Sequence, residues 1–279
     1  GKVVSALLPY LSTFYSQVET SVKFGEKLST PANKLDLVPT VPLALSTTIE
    51  PSTLPKVKDG VWADLILSVG GAMMPNGQFV PLGLTAGPDA LDGAKPDGKV
   101  DGEPAVDDDQ PMTLKYAPLH SGLRAGVTPN FALVHAAINV GGDGKREGGS
   151  IIISPVGPLP ASTKTGDFLG YSATSTYDKD KRALTVTEVK GSHLYRVILT
   201  GSKSQRWVLV VPKEAAGKEL KLVNLQDFGG SEDFGAEPKR VFVGAFELHK
   251  AKSTTELLSP GGLDDLVRLV KRTSFIDVK

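Results

Sequence analysis

The chain reads as an α+β protein that is mainly β: an antiparallel sandwich or barrel-like body, with a helix and a proline-rich extended arm before it and an amphipathic helix at its end. Three observations carry this reading. From residue 111 onward, short β-type runs recur at roughly 8–12-residue intervals with turn formers between them and no alternating helices. Apolar residues at spacings of three and four mark a helical stripe at each end. Prolines 31, 39, 42, 51 and 55 exclude a long helix between the first stripe and the body.

In residues 1–25, Val4, Leu7, Leu11, Phe14, Val18 and Val22 line one helical face, with Ser5 placed to cap the start and Gly25 to stop the end. Pro9 then falls in or just beyond the first turn, where a missing N–H costs least. Such a stripe must be buried, against this chain or against a neighbouring subunit. Leu7, Leu11, Phe14, Val18 and Val22 are the candidate interaction residues. Residues 26–60 carry apolar groups such as Leu35-Asp36-Leu37-Val38 between the prolines. A flexible linker would be polar and rich in Gly and Ser. This stretch is expected to be an extended arm laid over a surface, holding neither a long helix nor a central strand. The expected division is therefore 1–60, helix and arm, and 61–279, the β-rich body.

The body opens with Val61–Val69, whose alternate residues share one face, and a turn at Met73-Met74-Pro75-Asn76-Gly77 before Gln78–Val80. Residues 86–110 hold eight acids against two bases, interleaved with Gly and Pro, and form a long acidic loop of local charge −6. The pattern Asp97-Gly98-Lys99-Val100-Asp101-Gly102 invites a Ca²⁺ reading. An EF-hand fails: Gly98 at the sixth position puts Gly93 first, Lys95 third and Pro104 twelfth, where oxygen ligands are required. An irregular Ca²⁺ loop built on Asp97, Asp101, Asp107 and Asp109 survives beside the plainer reading of a solvated loop. Strand expectations follow at Met112–Ala117, Phe131–Val140, Ser150–Val156, Phe168–Tyr177, Arg182–Val189, His193–Leu199, Arg206–Val211, Glu219–Leu225 and Arg240–His249. Trp207–Val211 is apolar on both faces and is expected to be central in its sheet. Leu263, Leu266, Val267 and Val270 predict a helix over 262–272, with Asp264 and Asp265 in its first turn and Lys271 and Arg272 in its last.

Composition excludes several chemistries. The 279 residues contain no cysteine, which removes disulfides, thiolate nucleophiles and Cys-ligated zinc. The absence does not fix a compartment, and localisation stays open. Gly1 reads as a processed end, which leaves a leader peptide undecided. No apolar run approaches the roughly 18 residues of a membrane helix, so no transmembrane segment is expected. Lys+Arg and Asp+Glu are equal at 31 each, which argues against a dedicated polyanion binder.

The four histidines, His120, His135, His193 and His249, show none of the spacings that put two imidazoles on one metal. His135 lies in an apolar run and reads as a hydrogen-bonded structural histidine; His120-Ser121 lacks a nucleophile elbow. Gly141-Gly142-Asp143-Gly144-Lys145-Arg146 misses the phosphate-loop spacing and reads as a hairpin tip. Lys179, Lys181, Arg182, Lys190, Arg196, Lys203 and Arg206 cluster in sequence near Tyr177, Tyr195 and Trp207, a pattern that could follow a nucleic-acid backbone. The +6 charge of residues 111–279 is modest for that role.

The leading expectation is a non-enzymatic structural or interaction protein that assembles with copies of itself, or docks on a protein partner, through its N-terminal helix and arm. The alternatives are a secreted or cell-surface binding module, Ca²⁺-dependent and directed at carbohydrate; an enzyme whose site is assembled from scattered His and Asp residues; and a nucleic-acid-binding structural protein. No cofactor is expected beyond that Ca²⁺.

Overall fold

A computed structural model describes residues 45–53, 65–73, 79–86, 111–118, 130–139, 147–156, 160–201, 206–224, 227, 238–249 and 270–278. Their strands are β1 (Leu45–Ile49), β2 (Leu65–Met73), β3 (Phe79–Ala86), β4 (Met112–Tyr116), β5 (Asn130–Asn139), β6 (Gly148–Val156) and β7 (Ser162–Thr163). There follow β8 (Thr176–Asp178), β9 (Ala183–Thr185), β10 (Leu194–Thr200), β11 (Arg206–Pro212), β12 (Glu219–Lys221), β13 (Arg240–Leu248) and β14 (Val270–Asp277). One large sheet runs β11-β10-β13-β14-β6-β5-β2-β3, with every neighbouring pair antiparallel. Two small sheets, β4-β1-β7 and β12-β9-β8, accompany it. The protein is thus mainly antiparallel β, as its alternating runs and turn chemistry predict.

Alternation along the strands assigns the two faces of the large sheet. Ile66, Ser68, Leu133, His135, Ala137, Ser150, Ile152, Ser274, Ile276, Val243, Ala245, Tyr195 and Val197 fall in register on one face, and all are buried. Over the β2–β5–β6 half, this inner face forms a core with Ile49, Met112, Leu114 and Tyr116 of the β4-β1-β7 sheet. Over the β10–β11–β13 half, a second core joins it to Leu184 and Val186, with Leu220 packed against them. Two small sheets therefore cover two halves of one face, the face-to-face layering of a sandwich.

Glycine permits the closest approach between layers. A Cβ on Gly83 would lie 2.2 Å from the Lys115 carbonyl oxygen and 2.7 Å from the Tyr116 Cβ. β4 therefore crosses β3 backbone to backbone, and Ala117 N–H donates to the Leu82 carbonyl at 2.9 Å. Gly70 pairs with Gly83 and Gly71 with Pro81, which leaves Leu82 as an extra residue that bends β3 toward β4.

Residues 164–170 run across the middle of the inner face, between the two cores, as a strap. Phe168 belongs to one core and Leu169 to the other. Side chains of the sheet hold its backbone: Ser150 Oγ donates to the Leu169 carbonyl at 2.9 Å, Ser274 Oγ to the Gly170 carbonyl, and Arg272 Nη1 to the Asp167 carbonyl at 2.8 Å. Small hydroxyl residues are needed here because an irregular buried segment must satisfy its carbonyls without a ladder. Ser150→Ala is expected to lower stability by about 1–3 kcal/mol, the usual cost of leaving a buried acceptor unpaired; a urea-unfolding midpoint measures it. Beyond the strap, Tyr195 is fully buried, and its hydroxyl accepts from the Val189 N–H at 2.7 Å and lies 2.7 Å from Ser192 Oγ. This closes the turn at Gly191, whose φ of +91° favours glycine.

Several expectations need correction. The strand expected over Phe168–Tyr177 is the strap up to Gly170, and pairing begins only at Thr176. β1 lies in the proline-rich stretch and is nevertheless the central strand of its sheet, antiparallel to β4 and parallel to β7. The reason is local: Leu45–Ile49 falls between Pro42 and Pro51 and keeps all its N–H donors. Trp207–Val211 belongs to β11, which is an edge strand among the described residues and not a central one. The helix expected over 262–272 does not reach its predicted end, because Val270, Lys271 and Arg272 open β14. Burial alternates only from Thr273 to Asp277, beyond the register shift against β13, and the i, i+3, i+4, i+7 match from Leu263 to Val270 masked the start of the strand. Residues 262–269 and the N-terminal helix over 1–25 lie outside the described residues, and the described residues contain no α-helix.

Candidate functional site

The residues singled out for function divide sharply. Leu7, Leu11, Phe14, Val18 and Val22, the acidic residues Asp97, Asp101, Asp107 and Asp109, and the pair His120-Ser121 all lie outside the described residues. Among the described residues, no group of three His, Asp or Glu side chains is placed to hold a metal ion. No helix among them is long and apolar enough to cross a membrane.

Two of the described histidines serve the fold. His135 is 3% exposed, its Nδ1 lies 2.7 Å from Ser68 Oγ, and its ring stacks on Phe168 at 5.0 Å. Burial pushes its pKa down to about 4. A Ser–His hydrogen bond is the core of a nucleophilic dyad, but here both side chains are sealed under the strap, where no substrate carbonyl could reach Oγ. His193 Nδ1 accepts from the Leu248 N–H at 3.0 Å, which fixes the tautomer with the proton on Nε2. His249 is exposed at the end of β13, and its pKa is lowered by partial burial and by Lys271, against the opposing pull of Glu247.

Charged groups also act structurally. Glu247 receives hydrogen bonds from Lys271 and Arg272 where β13 and β14 shift register. Burial pushes its carboxyl up, yet the two cations outweigh this and hold it below its ordinary value. Arg240 bridges Glu147 and Asp277 and lies over the Phe242 ring at 5.4 Å. Of the basic and aromatic residues grouped by sequence, Lys181 is paired with Asp178 and Glu219, while Tyr195 is buried and can stack on no base.

What remains is the apolar outer face of the large sheet. The outer face of the large sheet carries Val69, Val134, Ile151, Ile153, Phe246 and Phe275, each half-buried and all in register on that side. Phe242 and Phe275 stack there at 5.7 Å. At one end, Leu194, Leu248 and Val270 are buried with Ile153, Val210 and Phe246 packed against them. Among the described residues, both small sheets lie on the inner face, and no strand layer covers the outer one.

The two edges of the large sheet differ. β3 carries Pro81 and the Leu82 bulge and is crossed by β4. β11 (RWVLVVP) has no bulge against β10, no proline before its last residue, and no charge after Arg206; Val208 is 48% exposed. Sequence reasoning took its two-sided apolarity for a central strand. Among the described residues β11 is the end strand of the large sheet, and no strand pairs with its outer side. Comparison with known protein families, curated proteins and solved structures finds none that matches this chain.

Proposed function

We propose that the protein is a non-enzymatic structural protein that self-assembles, with the N-terminal helix and arm of one copy lying on the outer sheet face of another. The observation that carries this reading is the apolar outer face itself. Val69, Val134, Ile153, Phe275 and Phe246 extend across five adjacent strands from β2 to β13, about 19 Å at ~4.8 Å per strand. Read as a helix, the stripe from Leu7 to Val22 spans about 23 Å at ~1.5 Å per residue, so the two apolar surfaces match in length. The forty-four residues before β1 supply both this helix and a proline-bearing tether long enough to reach a neighbour. Exchange of such segments between identical chains is an established route to oligomers. The finer architecture belongs to the same reading: a sandwich body, the arm before it, and a short helix over 262–269. A non-enzymatic role is supported by the sealing of the Ser68–His135 pair within the core.

The test uses the full chain. Light scattering coupled to size exclusion is expected to give a mass of several chains for the unmodified protein. Leu11→Asp/Phe14→Asp is expected to lower that mass while the far-ultraviolet circular dichroism stays unchanged. An unmodified chain that is monomeric, or a variant that assembles as before, would overturn the reading.

A further inference from the structure

From the contrast between the two edges of the large sheet, we infer that β11 is a second self-association surface, where it pairs antiparallel with β11 of another copy about a two-fold axis near Leu209. This contact does not rest on the N-terminal arm. An edge strand presents a row of backbone donors and acceptors, and proteins that stay apart blunt such edges with proline, bulges, lysines or a covering element. β3 has three of these devices: Pro81, the Leu82 bulge and the crossing by β4. β11 has none of them along Val208–Val211, and among the described residues no strand pairs with its outer side.

The occupant follows from the same facts. Because β3 is blunted, edge-to-edge growth of β11 onto β3 of another copy is disfavoured, and β11 onto β11 is left as the self-complementary arrangement. Charge sets the direction. Parallel strands in register would place Arg206 beside Arg206 of the second copy. Antiparallel strands separate the two Arg206 side chains to opposite ends of the pairing, each opposite Pro212 of the other copy. Val208 then falls opposite Val210, and the inner faces of both copies stay on one side, giving a continuous sheet of twice eight strands. A two-fold contact alone closes at a dimer. Combined with a heterologous arm contact, it builds a larger assembly.

The chain contains no cysteine, so single cysteines report proximity cleanly. In the proposed pairing the two Val208 positions are diagonal neighbours, about 7–8 Å apart. Full-length Val208→Cys, treated with a short bismaleimide, is expected to give a covalent species of twice the chain mass. Its yield should be several-fold above that of Lys115→Cys, which places a cysteine at an exposed position on β4. The yield should persist when Leu11→Asp/Phe14→Asp is added. Equal yields from the two cysteine variants would overturn β11 pairing, whatever mass the unmodified chain shows. Loss of the crosslink on adding the arm substitutions would overturn its independence from the arm.

Discussion

Gly83→Ala is expected to lower the unfolding free energy by about 3 kcal/mol, the upper part of the range for overpacking a rigid interior. The added methyl would have to occupy space 2.2 Å from the Lys115 carbonyl oxygen and 2.8 Å from the Tyr116 Cα. Both are backbone atoms or bound directly to them, and neither can swing aside. β4 is also tied to β3 by the Ala117 N–H bond to Leu82, so relieving the clash means separating the small sheet from the core. Leu114, Tyr116 and Met112 would lose contacts with the large sheet together. Gly170→Ala is the control. Its nearest neighbour would be a Val189 methyl at 3.8 Å, so it is expected to be neutral or slightly stabilising through the unfolded chain. Urea-unfolding midpoints of the two variants should differ clearly, and equal midpoints would show that β4 does not bear on β3 as described.

Acid is expected to destabilise the protein through His135 before the carboxylates titrate. Burial lowers the folded-state pKa from 6.5 to about 4, so the unfolded chain binds the proton more readily. Stability contributed by neutral His135 is complete above the unfolded value and is lost as pH falls from 6.5 toward 4. The loss approaches about 3 kcal/mol at ~1.4 kcal/mol per unit. Protonation would place a charge between Ser68 and the Phe168 ring, with only a neutral hydroxyl to receive it. Glu247, whose folded pKa is depressed, loses its stabilising contribution only as pH falls through the carboxylate range. The variant Ser68→Ala/His135→Phe removes both hydrogen-bonding partners and keeps a ring against Phe168, a replacement that can be nearly neutral in stability. Its unfolding free energy is expected to decline clearly less between pH 6.5 and 5 than that of the unmodified protein, the remaining slope including the lowered pKa of His249. A matching decline in both proteins would assign the acid sensitivity elsewhere.

Strand positions were legible where one face is buried and the other is not. β4, with its strict burial alternation from Met112 to Tyr116, and β10, with Tyr195, Val197 and Leu199 inward, follow from the period of two. The strap was illegible because Phe168 and Leu169 both turn into cores, and the hydrogen bonds that replace a ladder come from Ser150 and Ser274, over a hundred residues from each other. β1 was hidden by its prolines, although five proline-free residues suffice for a central strand when β4 and β7 supply both edges. β14 was hidden because Val270 completes a helical spacing while also opening a strand whose alternation begins only beyond its register shift against β13. Of the candidate interaction surface, the apolar stripe at Leu7–Val22 was legible as a residue pattern. The edge position of β11 was not, since two-sided apolarity reads as a central strand.

Sedimentation equilibrium of the unmodified full chain across a wide concentration range tests self-assembly most directly. A mass above that of one chain, rising with concentration toward a multi-subunit species, is the predicted result. A single-chain mass at every concentration would contradict it.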